Sequence, residues 1–283
     1  DNSMDEAVAG HADWIDVKLD QEGWLTVTDN GRGIPVDPHP KYKKSALELI
    51  LTTLHAGGKF SAANYLHSGG LHGVGASVVN ALSKQMIATV RRDGSVYRQE
   101  FRRGKPVADI ELVGPYRGHG TSIFFRPDEK IFPRTQFVAE TIKAHIEDVS
   151  YIHQNLKITF RDETKPETFE LSNPGGIRDY LTRLVSEGEK RPVVDNVFRI
   201  ERDNGEKVGA VLQWTESTEE QVRSYVNGIR THSGGTHETG FRSAIVKAVR
   251  SYLETHKVPL KGVTITAEDI REGIVGILSV FTR

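Results

Sequence analysis

A glycine-punctuated stretch from Gly57 to Gly75 constrains the fold of this chain more than any other feature of its sequence. The stretch ends in GGLHGVG at residues 69–75, directly before an apolar helical pattern that starts at Ala76. Long loops inside compact domains are usually either functional or disordered. Backbone amides at a helix start attract anions, and glycine lets the backbone approach a phosphate closely. The stretch therefore indicates either a phosphate-binding loop or a flexible surface loop.

The order of the glycines separates this loop from two common nucleotide-binding motifs. The spacing GxxGxG differs from the dinucleotide fingerprint GxGxxG. The sequence contains no GK followed by Ser or Thr, because Gly58-Lys59 continues into Phe60, and a Walker A loop is therefore not supported.

A second cluster, DNGRGIP at residues 29–35, follows a strand-like run that ends at Thr28. The carboxylate of Asp29 at a strand end can accept a hydrogen bond from an exocyclic amine such as that of adenine. The glycines at 31 and 33 leave room for a flat ring. The alternative interpretation is an ordinary Asn-Gly turn with aspartate as a cap.

Asn2 and Glu6 are four residues apart and share one face of a predicted helix. An asparagine carbonyl oxygen at this position can serve a hard cation such as magnesium. The alternative is an ordinary exposed helix surface. The eleven histidines show no convincing metal-ligand spacing.

Composition restricts the class of protein. The 283 residues suffice for one large or, more naturally, two domains, and the 37% hydrophobic and 27% charged fractions are typical of soluble proteins. No apolar run reaches the ~20 residues of a membrane span, and the absence of cysteine fits a reducing cytoplasm. We therefore expect a cytoplasmic location and no membrane partner. The formal net charge of -1 means that any DNA contact must use local basic runs, at 41–44, 91–92 and 102–103.

Hydrophobic periodicity predicts a mixed α+β chain. The pattern is interrupted at Ser172–Gly176, where the sequence SNPGG is typical of a turn or linker. We place the domain boundary there and predict domains 1–172 and 173–283. Helices are predicted at 2–9, 46–54, 76–82 (buried), 138–148 and 238–255, and strands at 14–18, 24–28, 85–91, 96–102, 109–113, 121–125, 157–161, 208–214 and 222–226, with a helix–strand pair within 268–281.

Five segments, taken in order, resemble the nucleotide site of the GHKL ATPases. They are DNSMDEA at 1–7, DNGRGIP at 29–35, LHAGGKF at 54–60, SGGLHGVG at 68–75 and GT at 120–121. The residues within these segments resemble a narrower group of these ATPases, the B subunits of bacterial type IIA DNA topoisomerases, which is the family of DNA gyrase and topoisomerase IV. GGTH at 234–237 and DIREG at 269–273 extend the resemblance over nearly the whole chain.

The resemblance implies a fold for each half of the chain. Residues 1–172 would form a two-layer α/β sandwich of the GHKL (Bergerat) type that lacks its N-terminal part. Residues 173–283 would form a transducer domain, an α/β unit similar to domain 2 of ribosomal protein S5, that lacks its C-terminal part.

The resemblance also implies roles for individual residues. Asn2 would coordinate the magnesium ion, Asp29 and Thr121 would bind the adenine amino group, and Arg32 would pair with Glu6. The implied ATP-binding set is Asn2, Glu6, Asp29, Arg32, Gly33, Ile34, Pro35, Ile50, Lys59, Tyr65, Gly70, Leu71, His72, Gly73, Val74, Gly75 and Thr121. The set implied for aminocoumarin-type inhibitors is Val27, Asp29, Arg32, Ile34, Pro35, Ile50, Arg92, Thr121 and Ile123, with Arg92 at the pocket rim.

The implied activity is magnesium-dependent ATP hydrolysis: ATP would close two B subunits, hydrolysis would reset them, and this cycle would be coupled to DNA strand passage. The implied partners are a second copy of the B subunit, a gyrase A-type subunit in an A2B2 enzyme, duplex DNA and aminocoumarins. Supercoiling by a gyrase is the favoured interpretation, and decatenation by a topoisomerase IV is the alternative. A chaperone-type or mismatch-repair-type ATPase clamp is a more distant alternative.

Three departures from the family pattern limit the expected activity. The general-base glutamate of the family would lie upstream of Asp1, and its γ-phosphate lysine would follow Arg283. Leu66 stands where the family usually has a basic residue. We therefore expect no catalytic residue within these 283 residues, binding of nucleotide or inhibitor, and weak or absent hydrolysis.

Overall fold

The computed structural model describes residues 2–54 and 74–282. The chain divides into two compact units, Asp1–Pro174 and Gly175–Arg283.

The first unit is organised around one large sheet. In the described residues its strand order is β5-β4-β3-β7-β2-β1-β8-β9, with β6 paired to β4. Strands β1 and β8 are parallel, and the other pairs are antiparallel. The elements are α1 (Asn2–Val8), β1 (Trp14–Leu19), β2 (Leu25–Asp29), α2 (Ala46–Thr52), α3 (Gly75–Ala81), β3 (Ser83–Arg92), β4 (Ser95–Arg102), β5 (Lys105–Pro106), β6 (Glu111–Pro115), β7 (Gly120–Pro127), α4 (Ala139–Ile152), β8 (Lys157–Asp162) and β9 (Glu167–Leu171).

Alternation along the strands places helices against one face of this sheet. Met86, Ala88 and Val90 of β3 are buried, as a period of two requires. They pack with Leu47 and Leu51 of α2 in one apolar cluster. A second cluster joins β1 and β8 to α4 through Ile15, Val17, Leu19, Ile146, Val149, Ile158 and Phe160. The unit is therefore a two-layer α/β sandwich, as the family resemblance implies.

The turn between β1 and β2 is stabilised by Asp20. Its Oδ1 accepts hydrogen bonds from the backbone amides of Glu22 and Trp24 at 3.0 and 2.9 Å. An aspartate turn of this kind often joins antiparallel strands, and the two strands predicted at 14–18 and 24–28 do pair in that way.

The second unit contains a five-stranded sheet in the order β10-β11-β14-β12-β13, with α5, α6 and α7. Strand β14 is central and almost wholly apolar, and it is buried from Ile274 to Ser279. The elements are α5 (Ile177–Glu187), β10 (Phe198–Asp203), β11 (Lys207–Trp214), β12 (Gln221–Val226), β13 (Ile229–Arg230), α6 (Thr236–Thr255), α7 (Ala267–Arg271) and β14 (Ile274–Phe281).

Some elements differ from the sequence prediction. Helix α3 is not buried along its apolar side, because Val78 and Val79 are 38% and 37% exposed while the polar Ser77 and Asn80 are buried. The prediction of a buried helix at 76–82 is therefore wrong in its orientation. Helix α5 and strands β9 and β10 lie outside the predicted elements. Across residues 2–54 and 74–282, no helix is long and apolar enough to cross a membrane.

Candidate functional site

Three neighbouring strands bring the candidate residues to one edge of the first sheet. Strand β2 ends at Asp29, β3 ends at Arg92, and β7, which lies between them, begins at Gly120. Because β7 is antiparallel to both neighbours, the ends of β2 and β3 meet the beginning of β7. Residues far apart in sequence are therefore adjacent at this edge.

Asp29 is the buried centre of the site, with 2% of its surface exposed. Its Oδ1 accepts hydrogen bonds from the amides of Gly31 at 3.0 Å and Thr121 at 3.2 Å, and its Oδ2 accepts one from Ser3 Oγ at 2.7 Å. Burial raises the pKa of this carboxyl above its ordinary value, although the three hydrogen bonds oppose the effect and the charge of Glu6 adds to it. Asp29 is thus a desolvated acceptor whose hydrogen-bond donors are neutral.

Glu6 on α1 holds Arg32 in a two-pronged ion pair. Arg32 donates from Nη2 to Oε1 at 2.8 Å and from Nε to Oε2 at 3.2 Å, and its backbone amide donates to Oε2 at 2.8 Å. The Glu6 side chain is 9% exposed and the Arg32 side chain 32%. Such a bidentate pair fixes the plane of the guanidinium group. The structure therefore brings together the two residues that the family resemblance pairs.

Thr121 connects both sides of the site. Its amide donates to Asp29, and its Oγ1 accepts a hydrogen bond from the amide of Ile34 at 3.2 Å. Next to it, Gly33 has φ +80°, and a Cβ there would lie 2.7 Å from the carbonyl oxygen of Arg91. Arg92 Nη1 donates to the Gly33 carbonyl at 2.8 Å. The backbone at Gly33 is therefore too close to β3 for any side chain.

Apolar residues line the adjoining core. Ile34 belongs to the buried cluster of β3 and α2, and Ile50 and Ile123 pack against it. Val27 is the register partner of Ile123 across β2 and β7. Pro35 is half-buried, directly after Ile34. These residues share one region of the unit with Asp29.

The remaining candidates fall into two groups. Asn2 is the first residue of α1, beside Ser3, and Val74 and Gly75 stand at the start of α3. Lys59, Tyr65, Leu66, Gly70, Leu71, His72 and Gly73 lie outside the described residues.

Three residues of the site received no individual role from the sequence, although Ser3 and Gly120 lie within segments that carry the family resemblance. Ser3 donates to Asp29, His119 Nδ1 forms a hydrogen bond with the carbonyl of Gly31 at 2.5 Å, and Gly120 packs against the Asp29 backbone. Ser3 carried a usable signal, because it lies three residues before Glu6 and therefore on the same face of α1. His119 and Gly120 adjoin Thr121, which is itself a candidate from the sequence.

Four of the cations considered for DNA contact form ion pairs within the described residues. Lys44 pairs with Glu48 at 2.7 Å, Arg92 with Asp93 at 3.0 Å, Arg102 with Glu100 at 3.1 Å, and Arg103 with Asp128. Arg92 binds the Gly33 carbonyl, as described above. These pairings reduce the positive charge that these residues offer to a polyanion.

Known families match both parts of the chain. Residues 1–131 match the family described as histidine kinase-, DNA gyrase B-, and HSP90-like ATPase, and residues 176–283 match the family described as DNA gyrase B. The 43K ATPase domain of Thermus thermophilus gyrase B, solved in complex with an aminocoumarin, is 35% identical with a TM-score of 0.82. That comparison covers 99% of this chain and 72% of the Thermus chain. The chain belongs to the family of DNA gyrase and topoisomerase IV B subunits.

Other proteins of the family support the same placement. The topoisomerase IV ATP-binding domain of Francisella tularensis, solved with a small-molecule inhibitor, has a TM-score of 0.82 and 35% identity over 99% of this chain and 74% of that one. The DNA gyrase B protein of Thermotoga maritima is 42% identical over 292 residues, and the topoisomerase 4 B protein of Caulobacter vibrioides is 43% identical over 300. The predicted GHKL ATPase fold of the B subunits is thereby confirmed.

The chain spans less than half the length of these curated relatives, 45% of the Thermotoga protein and 42% of the Caulobacter protein. All of its own length is matched in both comparisons. Its near-equal similarity to the gyrase and topoisomerase IV proteins leaves both kinds of B subunit open.

Proposed function

We propose that the first unit binds ATP, with the adenine amino group on Asp29. The observation that carries this proposal is the buried carboxylate of Asp29. It lies at the end of strand β2, its hydrogen-bond donors are neutral, and the chain is a member of an ATPase family. Burial of a carboxylate without a cation costs stability. A residue whose pKa is perturbed in this way is a candidate for function. Asp29 and Thr121 therefore supply the polar recognition of the base.

The surroundings of Asp29 suit a flat purine ring. Ile34, Ile50 and Ile123 provide apolar contact, and the missing side chain at Gly33 keeps the backbone close to β3. Arg32, held by Glu6, offers a planar cation that can stack on a ring. We extend the same site to aminocoumarin-type inhibitors, with Arg92, Val27 and Pro35 at its margin.

Asn2 is the residue proposed to hold Mg2+. Its amide oxygen suits this hard cation, which keeps several waters and takes few protein ligands when it binds nucleotide phosphates. Within the described ranges, no group of three or more His, Cys, Asp or Glu residues could hold a metal ion. A single amide oxygen at the start of α1 would suit a magnesium ion that takes most of its ligands from water and from the nucleotide. When bound, the ion would neutralise part of the phosphate charge. Lys59, Tyr65 and residues 70–75 are the proposed phosphate-side residues.

For the whole protein we propose an ATP-driven type IIA DNA topoisomerase of the cytoplasm. Residues 1–172 would be its ATP-binding domain and 173–283 its transducer. ATP binding would close two B subunits, and hydrolysis would be coupled to strand passage through duplex DNA together with a gyrase A-type subunit. The match of the second unit to the DNA gyrase B family supports this class over a chaperone or mismatch-repair clamp. Supercoiling or decatenation by the full enzyme with its partner subunit decides between gyrase and topoisomerase IV.

Calorimetric titration of Asp29→Asn with magnesium ATP and with an aminocoumarin tests the pocket. We expect the variant to lose both ligands, because its amide would present a donor to the adenine amine. Asp162→Asn is the matched control. Asp162 is also a buried aspartate of the first unit, and it accepts hydrogen bonds from the amide and hydroxyl of Thr164. Wild-type affinity for both ligands in Asp29→Asn would overturn the proposed site.

A further inference from the structure

The hydrogen bonds of Asp29 leave little freedom for a ligand. An ionised carboxylate has about four acceptor positions, two on each oxygen. The amides of Gly31 and Thr121 use both positions on Oδ1. Ser3 Oγ uses one position on Oδ2. Within the described residues, the remaining acceptor position is therefore on Oδ2, beside the Ser3 hydroxyl.

Ser3 is held in place independently of Asp29. It lies on α1, three residues before Glu6, so that both face the loop that follows β2. The ion pair of Glu6 with Arg32 attaches the same helix face to that loop. Ser3 is itself buried, with 9% of its surface exposed. Its hydroxyl therefore meets Asp29 Oδ2 from a position that the helix fixes.

The direction of this hydrogen bond follows from the chemistry of the two groups. An ionised carboxylate only accepts, so the Ser3 hydroxyl must donate its single proton to Oδ2. A protonated Asp29 could instead carry its hydrogen on Oδ2. That oxygen would then present a hydrogen-bond donor to the adenine amine, which is itself a donor. The charge of Glu6, on α1, disfavours the ionised form, and Arg32 is already paired to Glu6. Ser3 is thus the side-chain donor that favours the accepting form of Asp29.

We infer that Ser3 is a positioning residue for base selection: its hydroxyl orients Asp29 so that Oδ2 accepts from the exocyclic amine of adenine. This inference rests on the adenine site proposed above. Ser3 does not need to contact the nucleotide, because it acts through Asp29. The predicted effect is therefore specific to ligands that carry the amine.

Calorimetric titrations of the full chain with two nucleotides test the inference. One is the β,γ-imido analogue of ATP with magnesium, and the other is the matching triphosphate of a purine that lacks the 6-amino group. The ratio of their dissociation constants measures the preference for the amine. We expect Ser3→Ala to reduce this preference by roughly tenfold, because a hydrogen bond to a charged group is lost. Ser3→Thr, which keeps the hydroxyl, should restore it.

Two further variants separate positioning from folding. Ser83→Ala is the matched control, since Ser83 is a buried serine whose hydroxyl donates to the Val79 carbonyl at 2.6 Å, and its preference should equal that of the wild type. Ser3→Cys is nearly isosteric and a weaker donor, so it should give an intermediate preference. If Ser3→Ala does not fold, as thermal melting would show, Ser3→Cys and Ser3→Thr still decide the question.

The outcomes distinguish the inference from the proposal beneath it. Loss of preference in Asp29→Asn, with no further loss in Ser3→Ala/Asp29→Asn, supports the inference. Full preference in Ser3→Ala, or equal loss of both nucleotides, overturns the role of Ser3 and leaves the adenine site intact. Full preference in Asp29→Asn overturns the adenine site itself.

Discussion

Gly120→Ala offers the sharpest test of how the strands assemble the site. Gly120 has φ +138°, and a Cβ there would lie 2.1 Å from the carbonyl oxygen of Asp29 and 3.2 Å from Cα of Asn30. Both obstacles are backbone atoms, so no side-chain rotation relieves them. The start of β7 must therefore move away from the end of β2 by roughly 1–1.5 Å to bring the added Cβ to a contact distance of roughly 3.5 Å.

The magnitude follows from two costs. Overpacking of a tight site costs about 1–3 kcal/mol, and a side chain in a backbone region that suits glycine costs about 1–3 kcal/mol more. For a unit of this size, a loss of roughly 2–6 kcal/mol lowers the melting temperature by roughly 5–20 °C. Nucleotide affinity should fall as well, because the amide of Thr121, the next residue, binds Asp29.

Gly114→Ala is the matched control. Gly114 lies in β6 of the same unit, and its φ is not in the left-handed region. Apart from its chain neighbours, no atom of the described residues lies within 4 Å of its added Cβ. Its stability should stay within about 0.5 kcal/mol of the wild type. Thermal melting and calorimetric titration of both variants provide the measurements. Equal melting temperatures and equal nucleotide affinities for the two would refute the reasoning.

Three other predictions concern charged groups. Glu6→Gln should lower the free energy of unfolding by roughly 1–3 kcal/mol, because the two-pronged pair with Arg32 is lost; an unchanged urea midpoint would contradict this. Burial lowers the pKa of His153 to about 4, so the unfolded chain binds its proton first and stability falls as pH drops from about 6.5 to 4, by up to about 3 kcal/mol. His153→Gln should flatten that part of the melting profile. The raised pKa of Asp29 has the opposite effect on stability. The folded state binds this proton more tightly than the unfolded chain does, so stability falls as pH rises above the unfolded pKa of the group. Asp29→Asn should remove that loss.

The sequence predicts the central strands well because their burial alternates. Met86, Ala88 and Val90 repeat with a period of two, and β3 forms where that period occurs. The pairing of Glu6 with Arg32 follows from the family resemblance. Its geometry does not, since the distance between residues 26 apart in sequence depends on how α1 packs on the sheet.

The elements that sequence reasoning missed fall into two kinds. Strands β9 and β10 are mostly exposed and are the terminal strands of their sheets, and the apolar alternation of each is limited to two residues, Phe169 and Leu171 in β9 and Phe198 and Ile200 in β10. Helix α5, in contrast, has a clear helical spacing of buried residues, Ile177, Tyr180, Leu181, Leu184 and Val185. The glycines before it predict a domain boundary, and the helical spacing that follows them is not among the predicted helices. For helix α3, composition does not predict which side is buried, because its two valines are exposed whereas its serine and asparagine are buried.

The meeting of β2, β3 and β7 ties recognition to the completed sheet. Asp29, Arg92 and Thr121 come within reach of one another only when segments distant in sequence have paired across two antiparallel ladders. A chain in which these strands have not paired therefore lacks the complete proposed pocket. A ligand that binds there stabilises the whole sheet in proportion to the logarithm of its concentration, so its occupancy reports on strand assembly as directly as on chemistry.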